Sequence, residues 1–203
     1  MTRPLAERLY DLAERAFICG LGASIVWRFW PSLAGHPFNV LLVASELAAV
    51  VMILLRRRAQ RLDMSPYAIL IALVGTTGGL LVRPGGAALI PEWIGGLVMI
   101  AGALLNISAK LSLARSFGVA AANRGVKRSG PYRFLRHPMY AGYIVTQVGF
   151  LLTNPTLWNL AVYAAAWTAQ LLRIAAEEKV LGEDERYRDY ARAVRFRLAP
   201  GLY

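Results

Sequence analysis

The chain has 203 residues, 57% of them hydrophobic, with a mean hydropathy of +0.44. Soluble domains are roughly 45–50% apolar, and here the excess is gathered into blocks, so composition points to an integral membrane protein and away from a soluble domain. Net charge is +11, but Lys and Arg cluster at the ends of apolar blocks, as in loops facing anionic lipid, and no basic groove with interleaved aromatics marks a nucleic-acid binder.

Residues 1–11 read as an amphipathic lead-in with acids among the basic residues (Glu7, Asp11). The first apolar span, about 12–30, is expected to be retained as a helix, because no small-residue cleavage site follows it. It holds Cys19, the sole cysteine, so neither an intrachain disulfide nor a CxxC-type zinc site is available. Trp27, Phe29 and Trp30 close the span at an interface, and Pro31 stops it. His36, in the short loop after it, is read as a solvated histidine.

The second span, about 38–55, carries Glu46 in its middle, either a packing residue paired across the bundle or part of a cavity lining. Arg56, Arg57, Arg58 and Arg61 follow at once. The third span is about 66–82. Its Gly75-Thr-Thr-Gly-Gly79 run lacks a P-loop lysine and a preceding strand, so close helix packing explains it better. Arg83-Pro-Gly-Gly is a turn. The fourth span, about 90–113, has Gly95, Gly96 and Gly102 for close packing, with Asn106 and Ser108 as polar glue or pocket lining.

Residues 114–138 are basic and contain no acid. The fifth span runs from Pro138 to about 152, and Thr153-Asn-Pro-Thr156 is a tight turn. The sixth runs from about 156 to 174 and continues as a polar helix through Glu177 and Glu178. Residues 182–203 fit an amphipathic helix lying on the membrane surface. The expected fold is therefore all-α: one membrane domain of five to six spans, divided into spans one to four (1–113) and a C-terminal half (114–203) built on a helical hairpin. All three basic clusters fall on one side, so both termini are expected in the cytoplasm of a bacterial inner-membrane protein.

That parity places two stretches on the same cytoplasmic face: Ser129–Gly142, basic, aromatic and broken by two prolines, and Arg173-Ile-Ala-Ala-Glu177-Glu178. The hairpin should close them into a pocket. Arg133, Arg136, Arg173 and His137 suit a carboxylate or phosphate. Adjacent carboxylates suit sugar hydroxyls or a cation. S-adenosylmethionine, with its carboxylate, ribose and sulfonium, would satisfy both sets. The plainer alternatives are an i,i+4 ion pair between Arg173 and Glu177, a lipid-contacting basic loop, and a proline that only starts a helix. Zinc is short of ligands, because Glu177 and Glu178 point about 100° apart on a helix. No nucleophile elbow and no Gly-x-Gly-x-x-Gly after a strand are present.

Gly130-Pro-Tyr132-Arg-Phe-Leu-Arg136-His137-Pro138-Met-Tyr140-Ala-Gly142, then Arg173-Ile-Ala-Ala-Glu177-Glu178-Lys-Val-Leu181, then Tyr187-Arg-Asp-Tyr190 and Arg197-Leu-Ala-Pro200 resemble the isoprenylcysteine carboxyl methyltransferase family and its phospholipid N-methyltransferase relatives. The resemblance covers roughly 115–203, and the first three spans match only as generic membrane helices. It implies S-adenosylmethionine bound at the cytoplasmic face and a lipophilic small-molecule substrate arriving from the bilayer. By that resemblance His137 and Tyr140, with Tyr132, Arg136, Pro138 and Gly142 in the same stretch, hold the cofactor's methionyl end and adenosine. Glu177 and Glu178 hold its ribose or sulfonium side, and Arg173 orients the acceptor or a carboxylate. Arg173 and Glu178 are the residues expected to act in catalysis, either glutamate serving as base where the acceptor must lose a proton. The same superfamily includes nicotinamide-dependent sterol reductases, whose longer fold makes them the weaker match. A non-enzymatic membrane scaffold is the third reading.

Overall fold

Apolar blocks bounded by proline, asparagine or glycine become helices. The computed structural model describes residues 5–55, 71, 74–75, 77–113 and 128–201, and every regular element among them is helical. Helix α1 is Leu5–Phe29, ended by the chain's turn through Trp30–Ser32, where Pro31 has no amide hydrogen to continue the ladder. Helix α2 is Asn39–Leu55. A short 3-10 turn, Gly78–Leu81, precedes α3, Glu92–Leu113. After the turn Gly130–Arg133 come α4, Pro138–Thr153, and α5, Leu157–Leu181. Pro138 occupies the first position of α4, where the missing amide hydrogen costs nothing. Helix α6, Glu185–Ala193, is capped by Asp184, whose carboxylate accepts from the Arg186 amide at 2.8 Å.

The expected spans one, two, four, five and six correspond to helices. Most of the third span, the triple arginine at 56–58 and the basic loop at 114–127 lie outside the described residues. Among the described residues one helix, Glu92–Ser112, is long and apolar enough to cross a membrane, and Asn39–Ala48 is a shorter apolar helix.

The expected glycine packing is concrete. Gly95 and Gly102 on α3, and Gly142 and Gly149 on α4, are each seven residues apart and so share one side of their helix. A Cβ at Gly102 would lie 2.4 Å from the Thr146 amide nitrogen, and one at Gly142 would lie 2.6 Å from that of Asn106. The two helices therefore meet backbone to backbone and antiparallel. Phe29, Leu42, Leu80, Met99, Phe150 and Tyr163 form the apolar core around this contact. At one end of the bundle Asn154 and Asn159 hold the turn after the 3-10 segment: the Gly85 amide donates to Asn154 at 3.0 Å, and Asn159 donates to the Arg83 carbonyl at 2.8 Å. The candidate site lies at the other end.

Candidate functional site

The hairpin of α4 and α5 brings the two motif stretches together. Glu178, its side chain 10% exposed, is the centre. Arg136 Nη1 donates to its Oε2 at 3.0 Å, Arg197 Nε to Oε2 at 2.7 Å, and Tyr187 Oη to Oε1 at 3.2 Å. His137 Nε2 lies 3.1 Å from Oε1. An ionised carboxylate can only accept, so His137 carries its proton on Nε2. Burial alone would raise the Glu178 carboxyl. The hydrogen bond and charge of His137, then the Arg136 charge and the Arg197 hydrogen bond, outweigh it and hold the group down to about 2.

Glu177 is arranged differently. Its Oε1 accepts from Tyr140 Oη at 2.9 Å and from Arg173 Nε at 3.2 Å. Among the described residues, its Oε2 is faced by His137 Nδ1 at 3.9 Å, beyond hydrogen-bond distance. The imidazole thus stands between the two glutamates, bonded to one and facing the open oxygen of the other. The Arg173 guanidinium lies 5.9 Å from the centre of the Tyr140 ring, so Arg173, Tyr140 and Glu177 form one contact group. The expected i,i+4 ion pair of Arg173 and Glu177 forms at 3.2 Å, within this contact group.

A third segment completes the site. The Arg136 and His137 amides donate to the carbonyls of Phe196 and Arg197, both at 2.9 Å. Arg136 Nη2 reaches the Arg195 carbonyl at 3.2 Å. Tyr190 Oη donates to the Tyr132 carbonyl at 2.8 Å and lies 3.3 Å from that of Leu135. Burial, with the neighbouring Tyr190 hydroxyl and then Glu177, pushes the Tyr132 phenol up. The reading of 182–203 as a helix lying on the membrane surface is corrected here. The helix is amphipathic, but Tyr187, Tyr190 and Val194 are buried against the protein, on the turn that carries Tyr132 and His137. An amphipathic stripe shows which face is covered and not what covers it.

Of the expected site residues, Arg136, His137 and Glu178 share one hydrogen-bonded group and Tyr140, Arg173 and Glu177 a second, and the two groups face each other across His137. Tyr132 contributes its carbonyl to the tail contact, and Pro138 starts α4. Gly142 lies one turn deeper, where its lack of a side chain admits α3. Arg133 is exposed. Gly130 has φ +59, and a Cβ there would meet Ser112 Oγ at 2.3 Å, which seats the motif against the end of α3. Sequence reasoning assigned no site role to Arg197, Tyr187 or Tyr190. Their signal was present as tyrosines three apart and an arginine before proline near the end of the chain. His36 is also not simply solvated: Nδ1 contacts Glu92 at the far end of α3.

Residues 90–187 match the family model described as phospholipid methyltransferase. No curated protein matches the chain. The matched region contains both motif stretches and ends at Tyr187, so Tyr190 and Arg197 lie beyond it. The recognition made from Gly130–Gly142 and Arg173–Leu181 stands.

Proposed function

We propose that this chain, with its phospholipid-methyltransferase segment at 90–187, is an integral membrane methyltransferase that uses S-adenosylmethionine and acts on a lipophilic or amphiphilic small molecule. The observation that carries this reading is one cluster joining residues 41 apart, His137 and Glu178, with a neighbouring carboxylate oxygen left open. The residues fit the cofactor. Arg136 Nε is buried without a hydrogen-bond partner among the described residues, a donor suited to a carboxylate, and Glu177 Oε2 is an acceptor suited to a ribose hydroxyl or to the sulfonium charge. Bound there, S-adenosylmethionine would supply an electrophilic methyl group.

The roles of the chain's own residues follow. Glu178, with both oxygens engaged by Arg136, Arg197, His137 and Tyr187, is a positioning residue rather than the base. Glu177 is the carboxylate with acceptor capacity left, and it takes the proton where the acceptor is an amine, phenol or thiol. Arg173 and Tyr140 fix its Oε1 so that Oε2 faces His137. The bundle has five to six spans, its two parts being 1–113 and 114–203. Both termini and the site lie on the cytoplasmic side of a bacterial inner membrane, and the acceptor comes from the bilayer. Charge parity supports this orientation.

The test is calorimetric titration of S-adenosylmethionine into the purified protein in nanodiscs. Saturable binding is expected. No binding in either nanodiscs or detergent overturns the reading. Reporter fusions at Gly35, Gly85 and Asn154 should read outside and those at Arg58 and Gly125 inside. The reverse at the last two removes the site from the cytoplasmic cofactor supply.

A further inference from the structure

One residue of the C-terminal tail reaches His137 from two directions. The Arg197 carbonyl accepts from the His137 amide at 2.9 Å. The Arg197 guanidinium donates through Nε to Glu178 Oε2 at 2.7 Å, shorter than the bonds that Arg136, His137 and Tyr187 make to the same carboxylate. Glu178 Oε1 then accepts from His137 Nε2 at 3.1 Å. These contacts close a ring that runs from the His137 backbone through Arg197 and Glu178 to the His137 imidazole.

The ring holds a side chain that its own helix does not hold. His137 is the N-cap of α4, but its imidazole makes no capping bond. The residue is 6% exposed, and the Tyr140 ring lies against it with ring centres 5.9 Å apart. An aromatic contact limits where the imidazole lies but does not say which nitrogen faces which way, since a half-turn of the ring exchanges nitrogen and carbon positions. The bond to Glu178 makes that choice, and it turns Nδ1 towards Glu177 Oε2. Glu178 can orient another group only if its own flexible side chain is held. Arg136 holds it from the start of α4, and Arg197 holds it from the tail. The tail is fastened in turn: Tyr190 Oη donates to the Tyr132 carbonyl at 2.8 Å, and Arg128 Nη2 donates to the Arg186 carbonyl at 3.0 Å. The Arg136 side chain is tied to the same segment through the Arg195 carbonyl at 3.2 Å.

We propose that Arg197 is a positioning residue of the site: through Glu178 it fixes the His137 imidazole so that Nδ1 faces Glu177 Oε2. It acts through that carboxylate and not by touching the cofactor or the acceptor. Docking of the tail and readiness of the site are then one event, because the same residue supplies a backbone acceptor to His137 and a cation to Glu178. The expected effect on cofactor affinity rests on the methyltransferase reading, while the effect on the imidazole does not.

The experiment reads the imidazole directly. The chain has two histidines, His36 and His137, so a His36→Ala background labelled with nitrogen-15 histidine leaves one ring to observe in detergent. Above neutral pH the parent should show a ring with its proton fixed on Nε2. Arg197→Gln should move the ring nitrogens towards a mixture of the two tautomers and weaken S-adenosylmethionine binding about tenfold. A lysine ammonium can also donate to the carboxylate, so Arg197→Lys should restore the parent's ring pattern and bring affinity to within about threefold. Arg192→Gln, at an exposed arginine paired with Asp189, should change neither. Arg197→Gln should still fold, because Glu178 keeps Arg136, His137 and Tyr187. Loss of the fold in that variant makes Arg197 a structural residue and overturns the proposal. An unchanged ring pattern in Arg197→Gln overturns it whatever the affinity, and so does an equal loss of affinity in Arg192→Gln. An altered ring pattern in Arg197→Gln, with a parent that binds no S-adenosylmethionine, leaves the positioning role standing and removes the methyltransferase reading.

Discussion

Glu46 is buried and Glu178 is partly buried beside apolar helices, and the fold treats the two carboxyls in opposite ways. Glu178 has two guanidinium groups, an imidazole and a phenol on its two oxygens. Glu46 has, among the described residues, one long hydrogen bond from an amide. A carboxylate that the protein saturates is fixed by the protein and fixes other things in turn. One left under-satisfied has capacity for something else. The difference separates a carboxylate held by a full set of partners from one that the bundle encloses with few.

The sharpest way to break this comparison is to neutralise each carboxyl. Glu178→Gln leaves Arg136 and Arg197 facing an amide in a largely enclosed place, and removing one partner of a buried ion pair costs about 3–5 kcal/mol. Glu46→Gln removes a weaker contact and should cost about 1 kcal/mol. Unfolding of both variants in one detergent checks the order. If Glu46→Gln is the more damaging, Glu46 is the structural residue and the comparison fails.

Next in size is the split between the adjacent glutamates. Glu177→Gln keeps the bonds to Oε1 broadly possible but weakens the open acceptor. It should lower S-adenosylmethionine affinity by about ten- to a hundredfold, on the order of 1.5–3 kcal/mol, and change stability by under about 1 kcal/mol. Calorimetry and melting on the same preparation separate the two effects. A Glu177→Gln protein that binds normally while Glu178→Gln, still folded, does not would give the contact role back to Glu178.

Acid sharpens the same contrast. The folded-state pKa of Glu178, about 2, lies below its ordinary value of 4.5. Its contribution to stability is therefore complete above about pH 4.5 and is lost as the pH falls from there towards 2. Melting temperature between pH 6 and pH 3 should fall for wild type and fall less steeply for Glu178→Gln. Equal slopes would mean that the ion cluster is not formed in solution.

Much of this arrangement was legible in the sequence, for identifiable reasons. Apolar blocks bounded by Pro31 and Pro138 were legible as helices, because proline punctuates them through a fixed physical effect. The glycines at 95 and 102 gave close packing, and His137 and Glu178 met because a hairpin must bring its open ends together. The tail was misplaced because amphipathicity is indifferent to whether lipid or protein covers the apolar side. The saturation of Glu178 was hidden because Arg197 lies 19 residues along the chain and reaches it only through the bend after α5.

The smallest effect is expected at a third carboxyl, Glu92, which sets the baseline for the other two. It meets His36, but the side chains are 33% and 52% exposed. Exposed ion pairs contribute about 0–1 kcal/mol, because water screens them and two side chains must be held still. Glu92 also lies in the first turn of α3, where the helix dipole favours a negative charge by a few tenths of a kcal/mol or more. Glu92→Gln should therefore destabilise slightly more than His36→Ala, and His36→Ala by no more than about 0.5 kcal/mol. Neither should alter S-adenosylmethionine affinity, since twenty residues of α3 separate Glu92 from Ser112, about 30 Å along the helix. Melting and calorimetry of the two variants check this. A loss of affinity in His36→Ala would mean that the ends of the bundle are coupled, and that Glu178 and Glu46 cannot be treated as independent sites.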